Sequence, residues 1–181
     1  MVTFEVAEAS LMIRRFDRAL FAFLFISGAV FSQTPAPPSP SFDPEMLGLF
    51  QGTFACKGNF ASGKPIEADV SFAPQLDGRW LSYSHNDRAP NRYKALGYWG
   101  TDRESRRFVM LLVDVAGGAR LFSSDGWKDR SVTFERTSLP GQAERKERFR
   151  FEKESDASFK MTYETMSGAD WKLGDFIVCT R

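Results

Sequence analysis

The residues of this chain best equipped for chemistry lie in one short stretch, "SHNDRAPNRY", residues 84 to 93. It holds the single histidine, His85, together with Asp87, Arg88, Asn91 and Arg92. A His–Asp pair can move or hold a proton, and guanidinium groups can grip a carboxylate through two parallel hydrogen bonds. The surrounding pattern sets the limits. "RWLSYSH" leads in as a strand and "YKALGYWG" leads out as another, while Ala89-Pro90 breaks the chain and Asn91 suits a turn. The stretch therefore reads as an exposed loop between two strands, either a polar hairpin end or a binding rim carrying His85, Arg88 and Arg92.

A catalytic reading finds no further support. There is no Gly-x-Ser-x-Gly elbow, and no spacing singles out a serine to pair with the lone histidine. A metal centre needs three or four suitable ligands, which one histidine and two cysteines do not supply. The "VAGGARLF" segment joins strand to strand and lacks the helix N-terminus of a phosphate loop. No catalytic residue, metal or cofactor is expected.

The elements that must position these residues read as strands. "IEADVSFAP" sets Ile66, Ala68, Val70 and Phe72 on one face and Glu67, Asp69 and Ser71 on the other. From Gln51 onward no stretch shows a helical period. Asp77-Gly78, Gly117-Gly118 and Asp125-Gly126 are hairpin signals. Such short links leave no room for crossover helices, so the fold class is all-β: an up-and-down antiparallel meander of about ten strands. A sheet of that size has two unpaired edges unless it closes. Cys56 lies in the first strand and Cys179 in the last, and a disulfide between them would make those strands neighbours in a closed barrel.

Several polar and aromatic residues fit a lined interior. Tyr83 shares a face with Leu81 and His85, and Trp99 shares one with Tyr93, Ala95 and Gly97. Small residues beside large rings leave room for a cavity, or the rings pack as ordinary core. Asp114, in an apolar strand, and Arg120, after the Gly-Gly turn, either pair at a hairpin end or place the Arg120 guanidinium inside the barrel. The strand "FVMLLVDV" is apolar on both faces, which implies that its outside is covered or that it lies deep in the wall.

Ahead of the barrel come segments of another kind. Arg14, Arg15 and Arg18 precede an uncharged apolar run from Ala19 to Phe31, the layout of a cleavable secretory signal over residues 1–32. The acidic residues Glu5 and Glu8 suit no export signal and place the start of translation at Met12. The run is short for a membrane span, and retention as an anchor is the alternative to cleavage. Residues 33–46 follow as a Pro-rich linker, then the barrel over residues 47–181. An exported, periplasmic or secreted protein is expected, with no membrane span after processing. The formal net charge of +1 gives no reason to expect a nucleic-acid partner.

"LGLFQGTFACKG", at the head of a meander whose last strand returns to the first, resembles the calycin superfamily of lipocalins and fatty-acid-binding proteins and their secreted bacterial relatives of unknown function. The family opens its first strand with Gly-x-Trp. Gly48 and Phe50 match those positions, with phenylalanine in place of tryptophan, and Arg181 matches the basic residue that packs on the ring. The resemblance implies a cavity for a small, largely apolar molecule. The readings of the loop, the ring faces and the hairpin charges above make His85, Arg88, Arg92, Tyr83, Trp99 and Arg120 its candidate contacts. The alternative is a barrel filled by its own side chains, serving as a non-enzymatic envelope interaction or structural module. Some small bacterial barrels resembling calycins bind haem through a histidine of a late strand. The last strands here contain none.

Overall fold

A computed structural model describes residues 42–181; the expected signal segment and most of the linker lie outside the described residues. Ten strands follow one short helix, α1 (Pro44–Phe50). They are β1 (Gly52–Phe60), β2 (Pro65–Gln75), β3 (Trp80–Asp87), β4 (Lys94–Thr101) and β5 (Phe108–Asp114). The second half comprises β6 (Ala119–Ser124), β7 (Ser131–Thr137), β8 (Glu147–Ser155), β9 (Ser158–Ser167) and β10 (Asp170–Thr180). Each strand pairs antiparallel with its sequence neighbour, and β10 returns to β1 to close the barrel. The all-β meander expected from the hairpin signals is the fold.

The seam between β1 and β10 is where the sequence placed it. Cys56 stands directly opposite Cys179 in the register, and the two form a disulfide with Cα atoms 4.0 Å apart. Both sulfurs are buried. Gly58 lies on the same seam. A Cβ there would fall 1.8 Å from the Phe176 carbonyl oxygen, so the close approach of the strands admits only glycine.

One turn differs from expectation. Asp125-Gly126 does not make the β6–β7 hairpin. The tight turn lies further on, where Asp129 and Arg130 both take positive φ and Lys128 and Ser131 exchange backbone hydrogen bonds. Two positive φ values are the requirement of a type I′ turn, and here two non-glycine residues meet it.

Helix α1 closes one end of the barrel, and it begins three residues before the barrel's expected start. The Asp43 side chain caps it, accepting from the Glu45 and Met46 amides at 2.9 and 3.1 Å, with Pro44 in the first turn. Met46, Leu49 and Phe50, spaced as one helical face, are buried in the barrel mouth. Arg181 secures the far end of the helix by donating to the Gly48 and Leu49 carbonyls, both at 2.7 Å. Its guanidinium lies 5.2 Å from the Phe54 ring. The expected contact with Phe50 is therefore corrected. Phe50 belongs to the plug, and the ring under Arg181 sits two residues beyond Gly52, where β1 begins.

Behind the plug the barrel is solid. Trp99, fully buried, has its ring centroid 5.2 Å from Phe50, 4.9 Å from Phe72 and 4.7 Å from Phe151. Phe54, Phe134 and Phe159 complete this aromatic core. On the outer wall, Leu96 and Tyr98 of β4 pair with Val113 and Leu111 of β5, and all four side chains are exposed. Among the described residues nothing covers them, contrary to the expectation for "FVMLLVDV".

A candidate ligand site in the open half of the barrel

The antiparallel order puts the β3–β4 loop at the end opposite α1. Below that end the interior is hollow. A cavity of about 180 Å³ is walled by Ile66, Met110, Leu112, Phe149, Phe151, Met161 and Ile177. Phe60, Tyr83, His85, Asp87, Tyr93, Arg120, Tyr163 and Asp175 complete its lining.

His85 is inside, and its expected exposure at the rim is corrected. β3 runs on to Asp87, so the inward alternation of Leu81 and Tyr83 continues through His85 and Asp87. The His85 ring is 4% exposed. Its Nε2 lies 2.7 Å from Asp87 Oδ1, and its Nδ1 lies 3.0 Å from the Tyr83 hydroxyl. A carboxylate only accepts, so Nε2–H donates to Asp87 and Nδ1 accepts from the Tyr83 O–H. Burial holds the Tyr83 hydroxyl well above the usual phenol range, which keeps that proton in place. All three residues of this chain come from a single strand face.

A second polar cluster spans β5 to β8. Arg120 donates to Asp114 at 2.8 Å, to the Tyr93 hydroxyl at 3.1 Å and to Glu147 at 3.4 Å. Glu147 also accepts from Arg136 at 2.7 Å. Both readings of Arg120 therefore hold: it pairs with Asp114 and it lines the cavity. Two guanidinium groups meet two carboxylates, so the cluster is neutral. Arg120 Nε is buried without an acceptor.

The third polar group is Asp175, which sequence reasoning missed. Its side chain has no hydrogen-bond or ion-pair partner among the described residues. Burial is the main cause that raises its pKa from 3.8 to about 6; Asp87 adds to the rise and His85 opposes it. An irregular register between Leu173 and Asp175 turns Leu173 outward and keeps Asp175 on the inward face with Ile177 and Cys179. Gly174 in that bulge leaves room for Tyr163, whose ring would lie 2.7 Å from a Cβ. The Tyr163 hydroxyl is itself pushed up to about 12, chiefly by burial.

The remaining candidates fall elsewhere. Arg88 is on the outer wall, donating from Nε to Asp69 at 3.0 Å, and Arg92 is exposed. Neither lines the cavity. Trp99 packs on two lining rings, Tyr83 and Phe151, but lies beneath them. Replacing Arg88 and Arg92 together with alanine is expected to leave the thermal unfolding midpoint and any cavity binding unchanged. A weakened ligand affinity in that variant, measured by calorimetry, would return the loop to the site.

The lining contains no serine, threonine or cysteine to accept activation by His85. Among the described residues, no three His, Cys, Asp or Glu side chains gather as a metal site requires.

The fold has a solved likeness. The crystal structure of Rv2717c from M. tuberculosis superposes with a TM-score of 0.51 at 16% identity, covering 78% of this chain and 99% of that one. At this identity the likeness concerns the barrel alone. No family model and no curated protein sequence matches the chain.

Proposed function

We propose that this protein is an exported, calycin-like barrel that binds one small, largely apolar molecule in its open half. The observation that carries the reading is the cavity itself, apolar over most of its wall with a few convergent polar groups, the usual make-up of a ligand site. Its volume sets the scale. About 180 Å³ is short of the roughly 300 Å³ at which drug-sized pockets begin, but a dry cavity of roughly 150 Å³ takes a benzene molecule. The ligand is therefore a single ring or a short chain, not a lipid tail. A barrel wholly filled by its own side chains leaves this space without account.

Export is supported by the apolar run of residues 19–31 behind three arginines and by the disulfide, a bond that persists in oxidising compartments. Among the described residues no helix is long and apolar enough to cross a membrane.

The test is native mass spectrometry of protein purified from its own host. A small-molecule adduct is expected, and Met110→Trp, which places an indole in the cavity, is expected to lose it. Wild-type protein carrying no adduct and binding none of a set of one-ring probes would remove the reading. An N-terminus near Gln33 in exported material is expected by the same measurement.

A further inference from the structure

The charges around the cavity do not cancel. Arg120 and Arg136 are matched by Asp114 and Glu147, and Asp87 accepts a hydrogen bond from His85. Asp175 remains, a half-buried carboxyl facing the same space with no hydrogen-bond or ion-pair partner among the described residues. An isolated carboxylate in such a place is costly, and it must take up a proton or find a cation.

Its neighbours favour a cation. In the register Asp175 stands opposite Phe60 of β1 on one side and Tyr163 of β9 on the other, and all three line the cavity. A carboxylate flanked by aromatic rings attracts a positive charge twice, through its own charge and through the negative faces of the rings. The Phe60 ring already takes one such contact, with the Lys64 ammonium 5.8 Å from its centre. Arg120 does not turn the balance toward an anion. Its charge is spent on two carboxylates, and its Nε–H, buried without an acceptor, offers a hydrogen bond to a neutral oxygen. An anionic ligand would meet Asp175 and Asp87 together.

We propose that the cavity is selective for a small organic cation, a primary ammonium on a single ring or short chain, with the nitrogen at Asp175 between Phe60 and Tyr163 and the apolar body against Met110, Leu112 and Met161. The proposal rests on the cavity being a ligand site and adds the charge of the ligand.

Calorimetric titration of the full chain at pH 7.5 with three matched probes separates the two claims. Benzylamine, benzyl alcohol and benzoate share one ring and differ in charge. Benzylamine, protonated at this pH, is expected to bind at least tenfold more tightly than benzyl alcohol, with benzoate weakest. Asp175→Asn is expected to weaken benzylamine at least tenfold and to leave benzyl alcohol within twofold, which also reports that the variant is folded. Equal binding of the alcohol and the amine, tighter binding of benzoate, or indifference of benzylamine to Asp175→Asn would overturn the cation selectivity while leaving the cavity a ligand site. Failure of all three probes to bind would overturn both.

Discussion

Loss of the Cys56–Cys179 disulfide is expected to lower the unfolding free energy by about 4–5 kcal/mol. The cysteines are 123 positions apart, so the bond encloses nearly the whole barrel. Cutting so long a loop releases the unfolded chain far more than it disturbs the folded one. The folded seam has other support: β1 and β10 stay in register from Ala55–Thr180 to Phe60–Asp175. The reduced barrel is accordingly expected to keep its far-ultraviolet signature while unfolding at lower denaturant. Urea titrations of the oxidised protein, the reduced protein and a Cys56→Ala/Cys179→Ala variant would measure this. Alanine is preferred to serine, because both positions are buried and a hydroxyl there would lack a partner. A loss below about 1 kcal/mol would mean that the unfolded chain is already held compact without the bond.

The same seam shows why the fold was legible. Period-two alternation, short polar links and one cysteine in each terminal strand all point to a closed meander, and each is a local property of sequence. The interior was only half legible, because parity alone does not say where a strand stops. Pro90 suggested an exposed loop from His85 onward, whereas β3 continues to Asp87 and carries the pair inside. Extending the alternation of Leu81, Tyr83 and His85 by one step would have found Asp87 and put the pair inside. Asp175 carried the same signal, being two and four residues ahead of the inward Ile177 and Cys179. What masked it is the bulge at Gly174, which breaks the alternation just before it. Helix α1 was missed for another reason. Its seven residues make too few turns to show a period, and it reveals itself only through the Asp43-Pro44 cap. Arg88 and Arg92 show the converse error, where residue type suggested a grip on a ligand and the β3–β4 loop leaves both side chains outside the cavity.

Asp175→Asn is expected to stabilise the empty barrel at neutral pH by something on the order of 3 kcal/mol. In the unfolded chain the carboxyl titrates at its ordinary 3.8, and in the fold at about 6. Between those values the folded protein holds the proton that the unfolded chain has released. Stability contributed by this group is therefore full below the lower value, falls as pH rises, and is gone above about pH 6. The groups facing Asp175 modulate this without reversing it: Asp87 of β3 raises its pKa, His85 of β3 lowers it, and Tyr163 of β9 keeps its own proton throughout. Asparagine has nearly the same volume and no proton to lose, so the variant escapes the penalty. Its advantage over wild type in urea unfolding should grow by about 2 kcal/mol between about pH 4.5 and about pH 7.5. An advantage that stays flat across that range would place Asp175 in contact with water or with a cation of the chain. A growing advantage would show a fold carrying a charge that weakens it when empty, and a bound ammonium offsets that weakness by occupying the place the proton leaves.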